Sequence, residues 1–116
     1  MTERLTTTPA GVTLGALDQI AEGAARGFVL EMRAGRFHGF VVRRGDAAFG
    51  YVDRCPHMGL PLAQKLDDYV ADDRIVCSWH GALFDPESGA CLGGPCPGTR
   101  LTPWPVRVEA GTIVTA

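Results

Sequence analysis

The sequence predicts an all-β domain, an antiparallel sandwich or barrel. Three observations carry this: short β-prone runs recur along the chain, glycine and proline turns separate them, and only residues 61–66 offer a helical stretch, of one or two turns. Phe28-Val29-Leu30-Glu31-Met32 and Phe40-Val41-Val42-Arg43-Arg44 are the first two runs, parted by Arg33-Ala34-Gly35-Arg36 with its glycine turn signal. Arg44-Gly45-Asp46 is the next turn and leads into a run over 48–53. Arg74-Ile75-Val76-Cys77 is a fourth short run. The chain closes on a hairpin in which 105–109 pairs with 112–114 across Ala110-Gly111.

Length and charge bound the rest. At 116 residues the chain is one domain, 1–116, with room for a modest core. A formal net charge of -2 and the lack of a basic stripe argue against nucleic acid as a partner. No stretch approaches the roughly 18–20 apolar residues of a membrane span, and residues 1–9 have no apolar signal region. The expectation is a cytoplasmic protein that does not engage a membrane.

Two boxes hold the chemistry. Cys55-Pro56-His57 and Cys77-Ser78-Trp79-His80 each pair one thiolate with one imidazole at a spacing that lets both reach a common metal centre. A Cys2His2 zinc finger keeps its cysteines together and its histidines together, whereas the order here is Cys, His, Cys, His. That order suits a [2Fe-2S] cluster with one iron on two thiolates and the other on two imidazoles. Buried structural cysteines and ordinary histidines, or an atypical zinc site, are the competing readings. Gly59 and Gly81 follow the boxes closely and would let backbone N–H groups approach cluster sulfurs.

The boxes C-x-H and C-x-x-H-G resemble those of the Rieske family. The likeness extends through residues 81–89, similar to a short strand and tight turn, with Asp85-Pro86 and Ser88-Gly89 as turn chemistry. It continues through 91–97, similar to the Gly-Pro loop that covers the cluster in Rieske proteins, and upstream 17–23 is like the opening of Rieske-type ferredoxins. The resemblance implies a Rieske-type antiparallel β-sandwich or barrel base, with a small cluster-binding subdomain at about 54–97 inserted between its strands. It implies one [2Fe-2S] cluster, with Cys55 and Cys77 on the buried iron and His57 and His80 on the outer, reducible iron.

There are departures from the family pattern. The run between His57 and Cys77 holds 19 residues, and its excess falls at 65–73, which includes Asp67, Asp68, Asp72 and Asp73. A loop grows outward at small entropic cost, so the ligand geometry need not change. High-potential members join their ligand loops by a disulfide at positions that here hold Leu60 and Trp79, so that bridge is absent. They also carry hydroxyl donors to the cluster sulfurs where this chain has Ala82 and Phe84. Both features point to a low reduction potential. Cys91 and Cys96 are left over, and in a reducing cytosol free thiols are expected. His38 has no second ligand nearby and reads as ordinary.

A cluster of this kind exchanges one electron. The related non-heme oxygenases add a 2-His-1-carboxylate iron site. After His80 the sequence runs 36 residues with no histidine, so the expectation is an electron-transfer protein rather than an oxygenase. The resemblance implies a carrier between a flavin-dependent reductase and a terminal oxygenase or similar redox enzyme. A stably bound redox subunit of a larger enzyme, such as a nitrite reductase, is the alternative. A zinc-structured module would be colourless where an iron-sulfur protein is red-brown.

Overall fold

A computed structural model describes residues 4–5, 7–33, 35–54, 69–71, 74–77, 82–93 and 98–116. The expected all-β architecture is found. Its strands, among the described residues, are β1 (Arg4–Leu5), β2 (Thr13–Ala16), β3 (Ala25–Met32), β4 (Gly35–Arg44), β5 (Ala47–Val52), β6 (Val70–Ala71), β7 (Arg74–Val76), β8 (Leu83–Phe84), β9 (Cys91–Gly93), β10 (Val106–Glu109) and β11 (Thr112–Thr115). A 3-10 turn, Leu17–Gln19, follows β2. The helical candidate at 61–66 lies outside the described residues.

The first sheet centres on β4, which pairs antiparallel with β3 and β5 and parallel with β1. β3 and β4 are both longer than the sequence suggested. They run in unbroken register from Ala25↔Val42 to Met32↔Gly35. Gly35, Arg36 and Gly39 carry weak strand propensity alone, and the ladder to β3 overrides it. β10, β11 and β2 form the second sheet, with β11 antiparallel to both neighbours. The closing hairpin turns on Ala110 (φ 50°) and Gly111 (φ 79°), two left-handed residues as a two-residue hairpin of this twist requires. Thr115 is fully buried, and its hydroxyl both donates to the Pro9 carbonyl (2.7 Å) and accepts the Val12 N–H (2.8 Å).

β4 separates two hydrophobic cores. Because successive side chains of a strand point to opposite faces, Phe37 and Val41 join Leu17, Ile20, Val52, Trp104 and Ile113 on one side. Phe40 and Val42 join Tyr51, Tyr69, Ile75, Cys77, Ala82, Phe84 and Leu101 on the other. Trp104 anchors the first of these. Its ring lies 4.6 Å from Phe37 and 6.0 Å from Phe28, and its indole N–H donates to Thr8 Oγ1 at 2.8 Å.

The second core is roofed by a third sheet, in the order β6-β7-β8-β9. In sequence these strands fall between β5 and β10, which themselves lie side by side, and the chain just before β10 returns along β5 through Val52 N–H to Thr102 O (2.9 Å) and Trp104 N–H to Gly50 O (2.8 Å). The turn after β8 is the one its residues predicted. Asp85 Oδ1 accepts the Glu87 N–H at 2.8 Å, Ser88 Oγ accepts the Ala90 N–H at 3.2 Å, and Gly89 takes φ 76°. Gly89 also leaves room for the Tyr51 ring, whose hydroxyl donates to the Pro86 carbonyl at 2.7 Å. Tyr51 thereby fastens β5 to the third sheet.

Two predictions follow from this packing. A Cβ at Gly39 would stand 2.6 Å from Phe37 and 2.7 Å from Trp104, and both rings are fixed in the core. Gly39→Ala should lower unfolding stability by about 1–3 kcal/mol in a urea titration. Ala110→Gly, which relieves a left-handed alanine, should raise it by up to about 1 kcal/mol. A further prediction concerns pH. Burial first, then the Asp85 carboxylate, push the Tyr51 phenol from 10.0 up to about 12. With the folded value above the unfolded one, the stabilisation is complete below pH 10.0 and is lost as pH rises towards about 12. Tyr51→Phe should cost about 1 kcal/mol at neutral pH and flatten that alkaline loss, as measured by thermal melts across the range.

Candidate metal centre

The two segments that approach the ligand boxes are held by different means. β5 ends at Val52 and runs into Asp53, which is only 6% exposed. The Asp53 N–H donates to the His38 carbonyl at 2.9 Å, and its Oδ2 accepts the Tyr69 hydroxyl at 3.0 Å. Cys55 begins the first box two residues later. His38 sits half-buried on β4 opposite Val29, an ordinary strand position whose carbonyl fixes the exit of β5.

β7 leads into the second box. Cys77 directly follows Val76, is fully buried and carries no disulfide. Its N–H donates to the Ala82 carbonyl at 2.9 Å, just beyond the Val76↔Leu83 pair. Ala82 and Phe84 are fully buried in the same core as Cys77, and neither side chain has a donor to offer. A thiol in this apolar setting, not consumed by a disulfide, is fit to serve as a metal ligand in thiolate form, since a bound metal deprotonates a coordinating thiol outright. Cys55, His57 and His80 lie outside the described residues, as do Gly59, Gly81 and the four aspartates of 67–73. Of the expected ligand set the structure therefore places Cys77.

One expectation is overturned. Cys91, at the start of β9, is disulfide-bonded rather than a free thiol. Its partner lies outside the described residues. The expectation rested on the redox compartment, whereas bond formation also depends on whether the local backbone brings two sulfurs to bridging distance. Sequence reasoning also missed Asp53 and Tyr69 as a buried polar pair. The signal was a lone acidic residue ending a β-run directly before a ligand box.

Comparison with known proteins decides the family. The sequence model of the Rieske [2Fe-2S] domain matches residues 12–108. The chain belongs to the Rieske [2Fe-2S] family. A curated relative, the ferredoxin component of the p-cumate 2,3-dioxygenase system of Pseudomonas putida, is 32% identical over 105 residues, covering 88% of this chain and 81% of the relative. Among solved structures, the ferredoxin of carbazole 1,9a-dioxygenase from Nocardioides aromaticivorans IC177 matches with a TM-score of 0.71 at 25% identity, over 93% of this chain and 98% of that one. A complex of reduced oxygenase and oxidized ferredoxin in carbazole 1,9a-dioxygenase matches with a TM-score of 0.71 at 26% identity, over 90% of this chain and 100% of that one.

The cofactor of this Rieske domain is one [2Fe-2S] cluster. When bound, such a cluster supplies a reversible one-electron change whose potential is set by charge, solvent exposure and hydrogen bonds to its sulfurs. In the core around Cys77, the side chains of Ala82 and Phe84 offer only methyl and ring. Ala82→Ser and Phe84→Tyr should therefore each raise the potential by roughly several tens of millivolts, given that hydrogen bonds to charged groups contribute about 1.5–3 kcal/mol. Protein-film voltammetry checks this. An added hydroxyl that finds no sulfur acceptor will instead leave the potential unchanged and cost about 1–3 kcal/mol of stability as a buried unsatisfied group.

Proposed function

We propose that this chain is a one-electron carrier, taking electrons from a flavin-dependent NAD(P)H reductase and delivering them to a terminal oxygenase or related oxidoreductase. Cys55 and Cys77 hold one iron of the cluster, and His57 and His80 hold the other. The cluster-binding subdomain spans about 54–97, and the protein works in the cytoplasm as an electron-transfer component that performs no substrate chemistry of its own. The observation that carries this reading is the buried Cys77 thiol at the end of β7, without a disulfide, in a chain that aligns over 81% of the length of a dioxygenase ferredoxin component.

Further support comes from the donor set. Two thiolates and two imidazoles, one of each per box, satisfy a Rieske cluster and leave no open position for substrate. The outer iron, carried by imidazoles, is the reducible one, so electrons enter and leave on the histidine side. Among the described residues no helix is long and apolar enough to cross a membrane. The apolar shell at Ala82 and Phe84, together with Leu60 and Trp79 at the positions of the loop-to-loop disulfide, supports a potential at the low end of the family range of about -150 to +300 mV. That end is within reach of a nicotinamide-fed flavoprotein.

Anaerobically purified protein is expected to contain two irons and two acid-labile sulfides per chain, the composition of one [2Fe-2S] cluster. The reduced state should give an EPR signal of low average g, because imidazole ligation localises the added electron on one iron. NADH with a ferredoxin reductase should bleach the visible spectrum, and an oxygenase with its substrate should restore it. Stoichiometric zinc with no labile sulfide would overturn the reading.

A further inference from the structure

Tyr69 touches both segments that deliver cluster ligands. Its carbonyl accepts the Val76 N–H at 2.9 Å, one residue before Cys77, and its hydroxyl donates to Asp53 Oδ2 at 3.0 Å, two residues before Cys55. Its ring is stacked on Phe40 at 4.3 Å with an interplanar angle of 8°. The residue is 2% exposed and Asp53 is 6% exposed, so this hydrogen bond is shielded from competing water. Asp53 is itself fixed by its N–H to the His38 carbonyl on β4.

The arrangement has a mechanical meaning. Two ligand-bearing segments must keep a constant separation if thiolates from both are to hold one iron. The covalent bridge between ligand loops is excluded here, since Leu60 and Trp79 occupy its positions. We propose, resting on the cluster assignment above, that Tyr69 and Asp53 are positioning residues. Their buried hydrogen bond locks the approach to Cys55 against the approach to Cys77, and so sets how long the cluster is retained. Phe40 supplies the flat surface that keeps the hydroxyl aimed.

The test is the rate of iron loss from the loaded protein to a ferrous chelator under dithionite, followed by the visible absorbance of the cluster. Tyr69→Phe keeps the ring stack and removes only the hydroxyl. It should lose iron about five-fold faster, the factor that corresponds to one ordinary hydrogen bond. Asp53→Asn keeps an oxygen acceptor and should behave like the parent, whereas Asp53→Ala should be at least as fast as Tyr69→Phe. Ile113→Val, which thins the opposite core, serves as a comparator that lowers the melting temperature without touching either segment.

Equal iron-loss rates in Tyr69→Phe and the parent overturn the proposal, as does an acceleration in Ile113→Val that matches the one in Tyr69→Phe. Should Tyr69→Phe fail to fold, the aspartate pair decides, and identical lifetimes for Asp53→Asn and Asp53→Ala overturn it. A parent protein that holds no [2Fe-2S] cluster overturns both this proposal and the functional reading. A loaded parent with an unaffected Tyr69→Phe overturns this one alone.

Discussion

The alternation of side chains along β4 is the constraint on which the other parts depend. A strand with one face in solvent needs only every second residue to be apolar, but Phe40, Val41 and Val42 are all fully buried. Such a run is stable only when both faces are covered. One face is covered by Trp104 and the second sheet, the other by Tyr69 and the third sheet. If β4 slipped by one residue, every side chain would exchange cores, placing Phe37 and Val41 against the third sheet. The eight paired residues of β3 and the closely packed Gly39 guard against that shift.

This division of labour accounts for the character of the metal centre. The base supplies rigidity through long ladders, whereas the third sheet is built of strands of two or three residues, one of which, β7, runs directly into Cys77. Where the two meet, Phe40 stacks on Tyr69 within a shared apolar core and the Tyr51 hydroxyl donates to the turn after β8. The polar groups at the junction are matched donor to acceptor, as buried polar groups must be. Among the described residues, Ala82 and Phe84 line the core at Cys77 with side chains that donate no hydrogen bond.

The sequence was legible where local chemistry is self-contained. The hairpin at Ala110-Gly111 and the turn at Asp85 to Gly89 were readable because their residues carry the required backbone conformations by themselves. The family was readable because few other patterns alternate Cys and His at that spacing. The extension of β3 and β4 was not, since Gly35 to Gly39 become strand only through pairing with a partner. The Asp53–Tyr69 contact spans 16 residues in sequence and arises from folding. The Cys91 disulfide was missed for a related reason: oxidation state was inferred from the surroundings of the protein rather than from the proximity of sulfurs within it.

The brevity of the third sheet bears on how the cell distinguishes loaded from empty protein. Strands of two or three residues contribute few ladder bonds, so the opening free energy of this face rests on side-chain contacts and on whatever joins its loops. The base, with ladders of eight and six paired residues, has its own basis for persistence. Amide exchange in an unloaded chain would accordingly be fast in β6, β7, β8 and β9 and slow in β3 and β4. Housekeeping proteases, which cleave transiently opened segments, would clear chains that never acquired iron while sparing those that did.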